Sequence, residues 1–322
     1  MGSKNCYFVY TFSMKILIII PTYNAEAYLP KIIKKLERHH SDILIIDSNS
    51  TDSTISIAKS NNINFTQICQ KDFNHGATRE QYRKSTGSDI VVYFTQDAIP
   101  IESDIIEKLI KPLIEGEASV SYGRQIPRNG ANILEEFPRM FNYGNDPQIR
   151  SIDDVDRYGV HTFFCSDSCA AYLNKDLDVI NGFKAALTNE DYFACAELLL
   201  NGYKVAYVPD AIVVHSHKYN LLQEFQRMFD TGYVRAERPW IQDAVGDAEN
   251  KGAEYTKTLL KKIWISNPML LPYTFLQTII KYFGYRVGHN ALNFPTWLRK
   301  LLSGQKYYWN SKYYISNDKE MY

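Results

Sequence analysis

Four polar clusters that follow apolar runs hold the side chains with the most chemistry. They are Pro21–Asn24 (PTYN), Asp47–Asp52 (DSNSTD), Phe73–Arg79 (FNHGATR) and Thr95–Ala98 (TQDA). Asp97 is a hard oxygen donor at a strand end, suited to a divalent cation beside a diphosphate. The same residue type also caps turns. Asp47 and Asp52 stand among hydroxyls and can hydrogen-bond a nucleobase or ribose, while Asp52 also precedes a helical run and suits an N-cap. In FNHGATR, Gly76 permits close backbone approach and Arg79 offers a forked phosphate donor. The competing reading is a helix cap at Asn74 with Arg79 exposed. Asn189-Glu190-Asp191 opens a helix, where acids suit the dipole or supply a general base for an acceptor hydroxyl. His215 and His217 flank a serine at a strand end, a pattern open to metal ligation or phosphate contact.

These clusters need elements to present them. Strand patterns at Lys15–Ile20, Asp42–Ile46, Asn64–Ile68, Asp89–Phe94 and Ala118–Tyr122 alternate with helical ones at Ala25–Glu37, Thr54–Asn61, Ala77–Ser85 and Ser103–Ile114. Asn24 is the expected N-cap of the first helix. Continuous apolar strands alternating with helices predict an α/β fold with a parallel sheet covered on both faces. Ligands then sit beyond the carboxyl ends of the strands, where all four clusters fall. There is no GxGxxG after the first strand and no GxxxxGK[ST], which disfavours dinucleotide-binding and P-loop enzymes. Later, Arg128–Arg157 reads as a helix plus a long loop. Thr162–Asn174 is apolar-rich and contains Asp167. Asn189–Asn201 is a helix, Lys204–Val208 and Ala211–Val214 are strands, and the pattern is helical from residue 219.

The joint order is more specific than any one cluster: strand–PTYN, strand–DSNSTDST, strand–TQDA, then Gly182-Phe183, Asn189-Glu190-Asp191 and NGYKVAYVPDAIVVHSH. This order resembles glycosyltransferase family 2, over roughly Met14 to Lys218. FNHGATRE, TQDAIP and YGRQIP look further like its bacterial rhamnosyltransferase branch. The resemblance implies a GT-A fold: a Rossmann-like mixed, mainly parallel sheet flanked by helices, with a C-terminal helical appendage. It implies a donor pocket of Pro21, Thr22, Tyr23, Asn24, Asp47, Asn74, His75, Gly76, Arg79 and Gln96. Thr95-Gln96-Asp97 occupies the DxD position, with Thr95 replacing the first acid. Asp97 and His215 are the implied ligands of Mg²⁺ or Mn²⁺, and Asp191 is the implied base of an inverting displacement. Glu190, Asp167 and Arg124 are candidates for acceptor-side or acid-pair support. Gln223–Arg227 (QEFQR) lacks the Trp of the QxxRW motif of processive members, so transfer of a single sugar is expected. The implied donor is dTDP-L-rhamnose and the implied acceptor a lipid-linked cell-surface glycan. A UDP-hexose or UDP-N-acetylhexosamine donor is the alternative, and a non-catalytic nucleotide-sugar-binding protein is the second.

Composition bounds these readings. The 322 residues carry 36 Lys+Arg and 36 Asp+Glu, so a bulk electrostatic nucleic-acid binder is disfavoured. Five cysteines without a CxxC pair give neither a disulfide framework nor a zinc site, and reduced, buried thiols suit the cytoplasm. Residues 1–13 read as an extension outside the fold, with residues 14–240 as the transferase domain. No run is long and apolar enough to span a bilayer. Residues 253–322 hold ten Lys+Arg against three Asp+Glu, interleaved with aromatics. Residues 241–322 therefore read as a helical, basic-aromatic region, against an anionic membrane surface or a second copy of the chain in a homodimer, or else packed on the main domain.

Overall fold

The computed structural model describes residues 14–245 and 249–314, and the expected extension over residues 1–13 lies outside them. Its centre is a sheet of nine strands: β1 (Ile16–Thr22), β2 (Ile43–Asp47), β3 (Asn64–Gln67), β4 (Ile90–Phe94), β5 (Ile99–Pro100), β6 (Val120–Ile126), β7 (Gln148–Arg150), β8 (Cys169–Leu173) and β9 (Val205–Val214). Successive residues of a strand point to opposite faces, and each face has its own core. Ile18, Ile20, Val92 and Phe94 pack with the Leu29–Lys35 and Ile105–Ile114 helices. Leu17, Ile19, Val91 and Tyr93 pack on the other side with the Glu190–Leu200 helix. Burial on both faces is why these strands are apolar throughout rather than alternating.

The strand order is β3-β2-β1-β4-β8-β6-β9-β5, with β7 also on β9. The β3–β2–β1–β4 half is parallel, as alternation with helices predicts. The sheet as a whole is mixed, because β8 runs antiparallel between β4 and β6. Thr162–Asn174 was readable only as an apolar stretch, and its Cys-Ala-Ala core supplies this central strand. The two strands expected around Val208 and Ala211 are one, β9. Its register against β6 jumps between Gly123 and Arg124, so that Val208 pairs with Gly123 but Ile212 with Arg124. A Cβ on Gly123 would lie 2.4 Å from the Ala211 carbonyl oxygen, so only glycine admits this bulge. Beyond it, Gln125 and Ile126 run beside Val213 and Val214 and lead to His215.

The first helix begins later than expected, at Leu29 with Tyr28 as N-cap. Asn24 is not that cap. It has a left-handed backbone (φ 51°), and its side-chain oxygen accepts from Thr51 N at 2.9 Å. At the other end of the chain, the Leu221–Ala236 and Leu271–His289 helices approach closely through Gly232, Gly284 and Gly288, where any Cβ would meet a backbone carbonyl of the facing helix. Tyr308, Trp309 and Tyr314 join the core that holds Tyr192 and Phe193. Among the described residues no helix is long and apolar enough to cross a membrane. Cys165, Cys169 and Cys195 are free, buried thiols, and Cys69 is free and exposed.

Candidate active site

A cleft of about 310 Å³ opens at the carboxyl ends of β1, β2 and β4. Pro21, Thr22, Tyr23, His75, Arg79, Gln96 and Asp97, all expected in the donor or metal site, line it. The Gln96 amide ties its rim, accepting from Tyr23 N at 2.7 Å and donating to Tyr23 O at 3.2 Å. His75 is pushed down to about 3, by burial and then by the Arg79 charge, so it is neutral. Ser48, Gln70, Phe73, Thr95 and Tyr307 complete the wall. Tyr307 had no signal in the sequence, because the tail read as a contact surface. Gly304 N donates to the buried Asp230 carboxylate at 3.0 Å, and the Tyr313 hydroxyl donates to Asp72 O at 3.0 Å. These two bonds strap the tail across the cleft.

Three expected donor residues shape the cleft without lining it. Asp47 is fully buried and accepts from the Thr22 hydroxyl, Ser50 N and Gln67 Nε2. Asn74 is buried, its oxygen capping the His75–Arg83 helix at Ala77 N (3.1 Å) and its amide donating to Ala186 O. A Cβ on Gly76 would fall 2.0 Å from the Lys184 carbonyl oxygen, so its close approach is to protein backbone rather than to a ligand. Asn24 also lies outside the lining. In this structure all four make contacts within the chain that shape the rim. Each carries a polar group or a missing Cβ for a reason internal to the chain.

Arg79 is buried, not exposed. Its Nη1 pairs with Glu190 Oε1 and, at 3.2 Å, with Asp167 Oδ2. Burial alone would lower its pKa, but Asp167 and then Glu190 hold it above the ordinary guanidinium range. Tyr172 donates to Asp167 Oδ1 at 2.7 Å. Asp191 is half-buried beside this group, its two oxygens accepting from Asp167 N (3.2 Å) and Tyr192 N (2.8 Å). Burial and then the Glu190 charge, opposed by Arg79, push Asp191 up to about 6. Burial, opposed by Arg79, pushes Asp167 up to about 7. Three carboxylates around one guanidinium cannot all ionise freely, which is the setting of a tuned base. Arg124 makes no ion pair with this group among the described residues.

Asp97 meets two imidazoles at the cleft's other polar end. His215 Nε2 is 3.4 Å from Asp97 Oδ1, His217 Nε2 is 3.4 Å from Oδ2, and the two nitrogens are 2.9 Å apart. One donor atom from each of the three residues lies within 4.8 Å of the others. A hard carboxylate and two imidazoles converging through Nε2 fit a divalent cation. His217 extends the expected pair. Burial would raise Asp97, but the hydrogen bond and charge of His215, with His217, hold it down at about 2.

Residues 17–180 match the family described as Glycosyl transferase family 2. The O-antigen chain rhamnosyltransferase RfbN of Salmonella typhimurium is 36% identical over 310 residues, covering 94% of this chain and 99% of its own. The O-antigen chain rhamnosyltransferase WbaN of Salmonella anatum is 36% identical over 306 residues, covering 93% and 97%. Among solved structures, mannosyltransferase PcManGT from Pyrobaculum calidifontis, in complex with GDP-Man and Mn²⁺, superposes with a TM-score of 0.55 at 16% identity. That superposition covers 86% of this chain and 88% of that one, and shows a shared fold.

Proposed function

Because the chain belongs to glycosyl transferase family 2 and is built on the GT-A fold, we propose that it transfers a single L-rhamnose from dTDP-L-rhamnose to a hydroxyl of a lipid-linked surface polysaccharide. It is a glycosyltransferase. The observation that carries the choice of sugar and acceptor is the end-to-end likeness to two O-antigen chain rhamnosyltransferases. The cleft suits it chemically. Tyr23, Phe73 and Tyr307 give apolar faces for a nucleoside and a 6-deoxysugar, while Thr22, Ser48 and Gln70 give hydrogen-bonding edges.

The reaction is one displacement. The acceptor oxygen attacks the anomeric carbon, the bond from that carbon to the diphosphate oxygen breaks, and its electron pair leaves with the nucleoside diphosphate. Asp191 accepts the hydroxyl proton, a step worth ~10²–10⁴ in rate. Its pKa of about 6 leaves it ionised at neutral pH yet basic enough to take a proton. Asp167 N holds one Asp191 oxygen, and Arg79 and Glu190 set the local charge. Asp97, His215 and His217 would hold Mg²⁺ or Mn²⁺, which supplies positive charge against the departing diphosphate.

The enzyme works at the inner face of the cell membrane in this reading. No carboxylate occurs between Tyr255 and Tyr314, a stretch with nine Lys and Arg. The same region exposes Trp264, Ile265, Met269, Phe275, Ile279 and Phe283. Lys281 and Lys312 pair with Glu224 and Asp72 outside the stretch, and apolar side chains beside an excess of cations suit anionic lipid.

The donor assignment is tested by following transfer and donor hydrolysis with dTDP-L-rhamnose, UDP-glucose and UDP-N-acetylglucosamine in the presence of Mn²⁺. Turnover of the dTDP-sugar alone is expected. Preferential turnover of a UDP-sugar would replace the donor and keep the fold and base.

A further inference from the structure

One buried amide joins the two halves of the site. Gln125 lies on β6, 5% exposed, just past the register jump that brings it beside the end of β9. Its Oε1 accepts from His215 Nδ1 at 2.9 Å, and its Nε2 donates to Ser166 Oγ at 2.9 Å. Ser166 in turn donates to Ser168 Oγ at 3.4 Å, which leaves a Ser166 lone pair for the amide. The next residue, Asp167, gives its backbone N–H to Asp191 Oδ2. A continuous path thus runs from Asp97 through His215, Gln125 and the 166–167 peptide to Asp191.

The carbonyl end of Gln125 has only acceptor character, so it requires His215 to keep its proton on Nδ1. Nε2, which faces Asp97 and His217, is then the nitrogen that can give up its proton and offer a lone pair to a cation held between them. Partners of this kind fix the tautomer and ring angle of a ligating histidine. The other end of the amide steadies the peptide that holds the base.

We propose that Gln125 is a positioning residue, which presents His215 Nε2 to a divalent cation and, through Ser166, keeps the Asp167 N–H aimed at Asp191. This rests on the metal reading of Asp97, His215 and His217. It adds a residue that touches neither metal nor substrate.

The test uses the full-length chain and Mn²⁺ binding by EPR titration or calorimetry, with transfer measured separately. Gln125→Leu keeps the volume and loses both hydrogen bonds. It should weaken Mn²⁺ binding about 10–100-fold. Gln125→Glu retains an acceptor for Nδ1–H and should bind Mn²⁺ at least as tightly as the parent. Ser166→Ala removes the second link, together with the bond to Ser168, and leaves the His215 contact in place; it should bind Mn²⁺ within about twofold, while kcat falls about tenfold, a change within the range seen for outer partners of a site. If Gln125→Leu folds and binds Mn²⁺ like the parent, or if Gln125→Glu binds tenfold more weakly, the positioning role is overturned. A Gln125→Leu chain that fails to fold leaves the Glu and Ser166 variants to decide. A parent chain that binds no Mn²⁺ overturns the metal reading itself, which is a different result.

Discussion

Replacing Asp191 with asparagine should cost activity and add stability, and both follow from where the carboxylate sits. Burial and the Glu190 charge, opposed by Arg79, carry it from 3.8 to about 6. At ~1.36 kcal/mol per unit, an ionised group raised by about two units penalises the folded state by up to about 3 kcal/mol. Asparagine stands in for the protonated acid and keeps one oxygen for Asp167 N or Tyr192 N, and the pKa of about 6 already includes both bonds to the carboxylate. The expected gain is up to about 3 kcal/mol, or up to about 4–5 °C in Tm for a chain of this length. Its pH dependence has a definite sign. The penalty on the parent is present in full above pH 6, where the folded group ionises. It fades as pH falls through 6 toward 3.8, below which both folded and unfolded groups hold the proton. Asp191→Asn should therefore lead the parent at pH 7.5 and converge on it by about pH 4–5, while transfer falls ~10²–10⁴-fold. Thermal unfolding at the two pH values, with a transfer assay, reads both effects. Turnover within tenfold of the parent would remove Asp191 as base. A variant less stable than the parent at pH 7.5 would refute the argument from burial.

Two further outcomes are expected. Arg79→Met leaves Asp167 and Glu190 without their cation and should destabilise the chain by about 3–5 kcal/mol; an unchanged urea midpoint would show that the pair is not buried as described. The full chain should bind vesicles of anionic lipid but not neutral ones, with binding falling in salt. The double variant Phe275→Ser, Phe283→Ser should bind more weakly at unchanged Tm. If it instead binds vesicles normally and loses a dimer in sedimentation, the exposed face belongs to a second copy.

Much of the site was legible because strand ends and their polar clusters are local features. A run such as IVVYF followed by TQDA places Asp97 beyond a buried strand whatever else the chain does. What stayed hidden depends on partners far along the chain. Asp47 looked available for a ligand, yet Thr22 and Gln67 from two neighbouring strands consume its oxygens. Gly76 looked like a ligand-side glycine, and the backbone it makes room for is Lys184. Arg79 read as a phosphate donor, or else as an exposed arginine, and it is buried because two acids more than eighty residues away in sequence converge on it. Antiparallel β8 escaped because a short strand buried on both sides has no periodicity to separate it from other apolar runs. Tyr307 escaped because aromatic residues in a basic tail read alike whether they face solvent, lipid or a cleft.

The engagement of Arg79 shapes how ligands must arrive. Among the residues lining the cleft it is the single permanent cation, and its charge is already answered by Asp167 and Glu190, while His75 is neutral. In the proposed reading, an incoming diphosphate would meet Asp97 with little to offset the repulsion. Cation and nucleotide would then be each other's counterion, so whichever occupied the cleft first would tighten the hold on the second, and thermodynamic reciprocity would make the two factors equal.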